Sequence, residues 1–547
     1  MRESFQYDAI TSQMAAARGV IANAFDMFDT FALRRQHPPF LSYVILANNA
    51  LFGSGDLAAC AFSIVSGALT CVVVAFGVLV ALGARREGAS GGETQHGAFA
   101  QHAVRRGAFA GRDARGAFLA ALFAGWLLAF LPVHLFVSRS ANWDALYALF
   151  STSVLVLLAR YVSAAPPPSD APGSPPHAAR APLFAAAALA GFALLTSELG
   201  VFLAPSFLVA LAIDARRLPR RELVARYALA ATIVLTLVAA LWPAGIFKLH
   251  LARTILQRAG DSVLADRNHP WHTIYRDLFT QSPAFAIAAA IGFAAFAPAI
   301  VRALVALARK RPLAPSTRFA LALAPLWIHA AVAILMSTRQ SWVHIHLKND
   351  MFPPLAILGA CAFAAFADSG TRGHANTAAP ARTPNRAQRA APALIVAAGI
   401  IVIAVSVLSA TRTTDTMIVG PEEHPGYRGV AAFVAQHPDA RVYYYYAPLL
   451  RHFLAQHSAI EPRAPRPTTA PQIESDATRA WTPEQIASVK SRAYDFVVTD
   501  FSFFDAHHPD IDALAAAFAP EYALAHTVAH RRTGAAIAWI FAPVSRQ

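Results

Sequence analysis

Charged side chains are scarce in this sequence. Asp, Glu, Lys and Arg make up 14% of the 547 residues and hydrophobic residues make up 56%, whereas soluble domains carry roughly 25% charged residues. The mean hydropathy is accordingly positive, at +0.42. This shortage of charge excludes an ordinary soluble domain for most of the chain and indicates that lipid surrounds much of it.

Cysteines and phosphate-binding loops are scarce as well. The three cysteines, Cys60, Cys71 and Cys361, lie within apolar stretches and have no CxxC or other metal-ligand spacing, so we predict small buried side chains and no disulfide framework. No Gly-rich loop adjoins a strand, so no nucleotide site is predicted. Residues 1–36 are polar and mixed in charge, which excludes a signal peptide of the usual kind.

Long apolar runs are abundant instead. A helix needs roughly 20 apolar residues to cross the hydrocarbon of a membrane. Suitable runs lie near 57–84, 117–137, 143–163, 225–246, 283–308, 318–337, 351–367 and 391–410. A further apolar stretch, 183–213, is interrupted at 196–200 and predicts two short helices that meet within the membrane. We therefore predict a polytopic α-helical membrane protein with about 10 transmembrane segments. Segment 41–52 is too short to cross and predicts a juxtamembrane or partly inserted helix.

Arginine clusters separate these runs. The net charge is +14, and the clusters fall in loops 85–116, 214–222, 309–318 and 368–390. All four lie on one side if the crossings are as predicted, and the positive-inside rule makes that side cytoplasmic. Membrane topology therefore explains the charge better than nucleic-acid binding does. The predicted outer segments are 1–40, 138–142, 247–282, 338–350 and the tail after 411. Because residue 1 then starts outside, we expect a transmembrane helix to precede it.

From about residue 424 the composition changes to that of a soluble α/β unit. Strand patterns near 441–446, 494–499, 522–530 and 535–542 alternate with helix patterns. We predict three parts: a transmembrane domain at 1–410 whose residues 1–40 form the first outer loop, a linker at 411–423, and a small extracytoplasmic α/β domain at 424–547.

The first candidate site lies in the first outer loop. Tyr7 and Asp8 are followed by His37, which precedes the pair Pro38-Pro39. A juxtamembrane loop presents its side chains at the depth of a lipid headgroup. Transfer of a group from a lipid phosphate requires a carboxylate to take the acceptor proton and a cation to hold the leaving phosphate. The alternative is that Asp8 is a solvated loop acid and that the prolines only start a helix.

A second candidate is the tight outer turn that contains Arg139 and Asp144. Asp144 falls in the first turn of the following helix, where the helix dipole stabilises a carboxylate, and this structural explanation is complete by itself. The functional alternative is that Asp144 orients a cation such as His37 or Arg139 at the same membrane face.

Two further candidates lie in the broken helix and in the loop at 338–350. Glu198 follows Thr196-Ser197 within an apolar stretch, and a carboxylate at that depth needs a partner, whether for function or for structural pairing. Arg339 and Lys348 are the predicted phosphate contacts of the outer loop. His344 and His346 alternate in that loop but have no third ligand, so we predict no metal site.

The order of these motifs resembles the GT-C superfamily of membrane glycosyltransferases. The motifs are Tyr-Asp, His-Pro-Pro-Phe about thirty residues later, Leu-Phe-Gly, a turn with Arg and Asp, Leu-Leu-Thr before the broken helix, and Phe-Pro-Pro. Within the superfamily, the sequence is similar to the dolichyl-phosphate-mannose protein mannosyltransferase and aminoarabinose lipid A transferase families over residues 1 to about 410.

The resemblance implies a role for particular residues. The catalytic base of those families falls on Asp8, a donor-phosphate contact on His37 and the acid of the second outer loop on Asp144. The sequence departs from the family pattern at two points. Ser197 stands where the families have lysine in the broken helix, and Ala9 follows Asp8 where they have glutamate.

The resemblance also implies a function. The expected protein is a multi-pass enzyme of the inner membrane that moves a sugar from a polyprenyl-phosphate donor to lipid A, a glycan or a protein by an inverting mechanism. It requires no cofactor, a divalent metal being possible but not required, and binds no nucleic acid. The residues expected to act are Asp8 and Asp144 in catalysis, His37, Arg139, Arg339 and Lys348 at the donor phosphate, and Tyr7 and Glu198 in support. A transporter or flippase of lipid-linked sugars, or a non-catalytic subunit of an envelope polysaccharide complex, is the alternative.

Overall fold

The structure is a computed structural model. It describes residues 39–52, 56–89, 112–139, 143–163, 180–216, 218–244, 278–280, 282–309, 317–339, 349–372, 423–444, 471–474, 483–492, 494–500, 510–529 and 536–544, with a few single residues between them. These residues belong to two compact units. The first is helical, and the second contains a β-sheet.

The helical unit is built from long apolar helices. They are α1 (Phe40–Phe52), α2 (Asp56–Ala89), α3 (Arg112–Ala129), α4 (Pro132–Arg139), α5 (Trp143–Ser163), α6 (Ala181–Thr196), α7 (Ala204–Asp214), α8 (Arg220–Leu241), α9 (Pro283–Ala308), α10 (Thr317–Arg339) and α11 (Phe352–Arg372). A 3-10 helix, Glu198–Leu203, joins α6 to α7.

Among the described residues, length and composition qualify helical segments of α2, α5, α8 and α9 as candidate membrane spans: Ala61–Gly83, Asp144–Ser163, Arg220–Leu241 and Pro283–Ala308. Shorter apolar helices, such as Ala181–Thr196 and Phe319–Leu335, accompany them. The total of about 10 crossings stays a prediction. The predicted span at 391–410 lies mostly outside the described residues.

One predicted span, 117–137, is divided in the structure. Helix α3 ends at Ala129, and α4 begins at Pro132. Proline disfavours the helical conformation of the residue that precedes it and is tolerated at the first position of a helix. The break before Pro132 follows from this.

Small residues let two helices of the unit approach closely. A Cβ added to Gly292 of α9 would overlap the backbone of Leu358 and Gly359 in α11, and one added to Gly359 would lie 2.8 Å from the carbonyl oxygen of Ala288. Backbones this close are typical of membrane helices that pack through small residues.

An ion-pair network ties one end of the helical unit together. Arg226 of α8 donates to the hydroxyl of Tyr161 at 2.6 Å and lies 3.5 Å from the carboxylate of Asp214 at the end of α7. It also donates to Glu222 at 2.7 Å, and Glu222 accepts from Arg180, which precedes α6, at the same distance. The α6–α7 hairpin therefore enters and leaves the bundle at one end. The predicted interruption at 196–200 is its turn.

The second unit contains a five-stranded sheet. Its strands are β1 (Arg441–Tyr444), β2 (Gln472–Glu474), β3 (Phe496–Asp500), β4 (Tyr522–Ala529) and β5 (Ala536–Pro543), and its helices are α12 (Glu423–Ala435), α13 (Pro483–Ser491) and α14 (Ile511–Phe518). The strand order is β2-β1-β3-β5-β4, in which β1 is parallel to β2 and β3, and β5 is antiparallel to β3 and β4.

Aromatic side chains form much of the core of this second unit. Tyr443, Tyr494, Phe518 and Phe541 are each at most 1% exposed and belong to one cluster. Strands β1, β3, β4 and β5 lie where the sequence patterns predict strands. Strand β2 was not predicted, because three residues next to a Pro-rich segment carry too little alternation to be recognised.

A cluster of polar side chains lies at the edge strand β2. Glu474 accepts from the hydroxyl of Tyr494 at 2.7 Å and from Arg441 at 3.1 Å. These hydrogen bonds hold the pKa of Glu474 below its usual value, and the bond from Tyr494 has the larger effect. The cluster links β2 to β1 and β3 at the surface of the unit.

Candidate functional site

Most of the side chains that the sequence predicts for the site are not described by the structure. Tyr7, Asp8, His37 and Lys348 lie outside the described residues. For Arg139, Glu198 and Arg339 the structure describes the backbone alone: Arg139 ends α4, Glu198 begins the 3-10 helix and Arg339 ends α10. Their roles stay predictions.

Asp144 is the predicted site residue whose side chain the structure does describe. It lies in the first turn of α5, as predicted, and is 2% exposed. Tyr161, in the ion-pair network, is 17 residues further along α5, so the two lie about 26 Å apart along the helix axis. Asp144 is therefore buried at the end of α5 opposite that network.

A second buried carboxylate accompanies Asp144. Asp350 precedes α11 and is 7% exposed, and both carboxylates act electrostatically on the hydroxyl of Tyr147, one turn into α5. Tyr147 is itself 2% exposed. The starts of α5 and α11 thus bring two acids together around one phenol, although more than 200 residues separate them in sequence.

His134 of α4 connects α2 to the start of α11. Its Nε2 lies 3.2 Å from the carbonyl oxygen of Gly67, and its Nδ1 lies 3.3 Å from the side-chain oxygen Oδ1 of Asn349. Both oxygens only accept, so the ring nitrogen that forms either hydrogen bond carries the proton, and a neutral ring donates to one of the two at a time.

His329 of α10 is the second buried histidine of this group. It is 0% exposed, with its Nε2 3.5 Å from Asp350 Oδ2 and its Nδ1 3.4 Å from the carbonyl oxygen of Phe202. The buried polar group therefore consists of two acids, two histidines, a phenol and an amide, contributed by α4, α5, α10 and the start of α11. Such a group can exchange and hold protons, or orient a charged ligand. Among the described residues there is no set of three metal-ligating side chains.

The sequence reasoning missed His134 and His329. Both lie inside runs that were assigned to membrane spans, 117–137 and 318–337, and were passed over as part of those runs. The argument applied to Glu198, that an ionisable side chain within a span needs a partner and marks a candidate site, applies equally to both histidines. It would have pointed to α4 and α10.

The turn of the α6–α7 hairpin approaches this buried polar group. Ser197 caps the 3-10 helix by accepting from the backbone N–H of Leu199, and the carbonyl of Phe202 faces His329. A Cβ on Gly200 would lie 2.8 Å from the backbone nitrogen of Leu194, so the tight turn requires glycine at this position.

No protein-family model matches the chain, and no curated protein sequence matches it. Among solved structures, it is similar to ArnT from Cupriavidus metallidurans in the apo state, with a TM-score of 0.51 and 16% identity over 98% of this chain and 93% of that one. The structure of ArnT from Cupriavidus metallidurans bound to undecaprenyl phosphate matches with a TM-score of 0.51 and 16% identity, over 97% of this chain and 92% of that one. A third similar structure is the archaeal oligosaccharyltransferase AglB from Archaeoglobus fulgidus, in complex with an inhibitory peptide and a dolichol-phosphate. It matches with a TM-score of 0.52 and 13% identity, over 90% of this chain and 65% of that one.

The chain shares its fold with ArnT and AglB. The resemblance stated from the motifs is thereby confirmed at the level of the fold, and the chain is a multi-pass membrane protein. Within this GT-C fold the buried polar group lies at the starts of α5 and α11, which is also where the predicted outer loops 138–142 and 338–350 meet the helices.

Proposed function

We propose that the chain is a membrane glycosyltransferase that moves a sugar from a polyprenyl-phosphate donor to an extracytoplasmic acceptor, which is lipid A, a glycan or a protein. The observation that carries this proposal is the GT-C fold shared with ArnT over nearly the whole of both chains, in a structure with undecaprenyl phosphate bound. AglB, of the same fold, has dolichol-phosphate bound. Two buried acids at one end of the bundle are compatible with acid-base chemistry there.

The proposed reaction is a single displacement with inversion at the anomeric carbon. The carboxylate of Asp8 takes the proton of the acceptor hydroxyl, the acceptor oxygen forms the new bond, and the bond between the sugar and the phosphate oxygen breaks. His37, Arg139 and a cation from Arg339 or Lys348 stabilise the polyprenyl phosphate that leaves. Asp144 orients one of these cations, with Tyr7 and Glu198 in support. The phosphate leaves readily, so the proposed reaction needs no cofactor.

The proposed location is the inner membrane, with the second unit on the periplasmic side. The Arg226 network lies beside the Arg-rich loop 214–222, which the positive-inside rule places in the cytoplasm, and Asp144 lies about 26 Å away along α5, toward the opposite face. We expect an alkaline phosphatase fusion at residue 420 to be active and a fusion at residue 100 to be inactive. The reverse pattern would place Asp8 in the cytoplasm and contradict the proposed chemistry.

Binding of the lipid phosphate tests the function itself. Protein purified into nanodiscs should gain thermal stability with undecaprenyl phosphate, by about 2.7 kcal/mol at a ligand concentration of 100 times Kd. Undecaprenol, which lacks the phosphate, is the matched control and should give no shift. Mass spectrometry of lipids that copurify should detect a polyprenyl phosphate or its sugar conjugate. If both measurements are negative, the donor class is wrong.

A transporter of lipid-linked sugars is the second candidate. The observation that favours it is the burial of His134 and His329 inside apolar helices, because ionisable groups at such depth also mark transport pathways. The two functions differ in product. A transporter moves the intact lipid-linked sugar across a liposome membrane, whereas the transferase releases free polyprenyl phosphate.

A further inference from the structure

His329 bridges two segments that are far apart in sequence. Its Nδ1 contacts the carbonyl of Phe202 in the turn of the α6–α7 hairpin, and its Nε2 contacts Asp350 just before α11. The first distance, 3.4 Å, is longer than an ordinary N–H···O hydrogen bond, and at the second, 3.5 Å, Nε2 forms no hydrogen bond and its contact with Asp350 is electrostatic. The side chain is completely buried, so no solvent replaces either contact when it is lost.

The chemistry of the two partners determines how many protons the bridge holds. The carbonyl of Phe202 only accepts, so Nδ1 must carry a proton. An ionised Asp350 also only accepts, and a bare Nε2 would then place two lone pairs against each other. A proton on Nε2 or on the Asp350 carboxyl removes that repulsion, and at 3.5 Å the contact between them is electrostatic and not a hydrogen bond.

A neighbouring contact joins the same helices without involving Asp350. The hydroxyl of Ser206 in α7 donates to the carbonyl of Pro325 in α10 at 2.9 Å, and Ser206 is 0% exposed. Packing between the hairpin and α10 thus has a buried hydrogen bond of its own. His329 is the residue that extends this connection to α11.

We propose that His329 is a positioning residue: through its two ring nitrogens it holds the turn of the α6–α7 hairpin and the start of α11 in one arrangement. The inference rests on the proposed function in one respect, namely that this arrangement is the one that binds the donor phosphate. Asp350 is its partner, and neither residue needs to touch the sugar.

Two substitutions separate the contacts. In His329→Asn the amide nitrogen occupies the place of Nδ1, so the contact with Phe202 is kept and that with Asp350 is lost. In His329→Gln the amide nitrogen occupies the place of Nε2, so the contact with Asp350 is kept and that with Phe202 is lost. The rate of backbone amide hydrogen exchange should rise around 349–352 in the Asn variant and around 198–203 in the Gln variant. The expected rise is about tenfold, which corresponds to the free energy of one buried hydrogen bond.

Donor binding is the second measurement. Because both contacts are needed, each variant should bind undecaprenyl phosphate about 10- to 100-fold more weakly, since a small misplacement of a site costs up to that much. Ser206→Ala removes a buried hydrogen bond between α7 and α10 and should retain the wild-type affinity. Asp350→Asn should raise exchange at the hairpin turn, nearly 150 residues away.

The outcomes are distinguishable. If the Asn or the Gln variant keeps the wild-type affinity and exchange, the bridge does not position these segments and the proposal fails. If Ser206→Ala weakens binding as much as the His329 variants, the effect is one of general packing and the proposal also fails. If the wild-type protein does not bind undecaprenyl phosphate, the proposed function fails, and the exchange pattern alone decides whether His329 positions the two segments.

Discussion

Replacing Asp8 by asparagine should abolish most of the transferase turnover while leaving expression and binding of undecaprenyl phosphate intact. The substitution keeps the size of the side chain and removes the carboxylate that is proposed to take the proton of the acceptor hydroxyl. Loss of one general base typically lowers the rate by about 10²- to 10⁴-fold, or roughly 3 to 5 kcal/mol of barrier. Turnover is measured as release of polyprenyl phosphate from the sugar-linked lipid.

Asp26 and Asp29 provide the matched controls. Both are acids of the same predicted outer loop but lack the spacing to the Pro38-Pro39 pair, so Asp26→Asn and Asp29→Asn should turn over at the wild-type rate. An active Asp8→Asn together with an inactive control variant would show that the base was assigned to the wrong acid. If all three variants stay active, the transferase proposal loses its main mechanistic support, and transport of lipid-linked sugars becomes the favoured function.

Removing the charge of Asp214 should destabilise the helical unit strongly. Asp214 is 5% exposed, accepts from the hydroxyls of Tyr161 and Tyr227, and lies 3.5 Å from Arg226. Asp214→Asn leaves the buried guanidinium of Arg226 without one of its two carboxylates. Breaking a buried ion pair by removing one partner costs about 3–5 kcal/mol, which should appear as a large decrease in the thermal unfolding temperature in detergent.

Glu222 offers the control for Asp214 within the same network. It also pairs with Arg226, and with Arg180, but its side chain is 33% exposed. Exposed ion pairs contribute about 0–1 kcal/mol, so Glu222→Gln should change the unfolding temperature little. Equal losses in the two variants would show that burial does not govern the network. No loss in Asp214→Asn would show that the network does not hold the α6–α7 hairpin at this end.

The sequence was a good guide wherever the pattern is local. Apart from the run at 391–410, which lies mostly outside the described residues, the apolar runs predict helices that the structure contains, and the interruption at 196–200 coincides with the turn between α6 and α7. The burial of Asp144 was not predicted from its position in the first turn, because burial depends on which helices cover α5. The division of α3 from α4 at Pro132 was also missed, although proline signals such a break.

The site itself was harder to predict, because its members come from distant parts of the chain. Asn349 and Asp350 are the last residues of the predicted outer loop 338–350, in which Arg339 and Lys348 are the predicted phosphate contacts and this polar pair has no predicted role. His134 and His329 each looked like single polar residues in apolar spans. Nothing in one sequence indicates that one of these histidines meets Asn349 and the other Asp350.

By itself the sequence determined that this is a polytopic helical membrane protein, because the length of apolar runs and the alternation of arginine clusters depend only on the thickness and electrostatics of the bilayer. The ordered motifs determined the resemblance to the GT-C superfamily. Only the tertiary structure decided that His329 lies between Phe202 and Asp350, and that Arg226 joins Asp214 to Tyr161. These contacts are set by how helices pack, and a partner for a buried charge is chosen by proximity in space, which sequence separation does not encode.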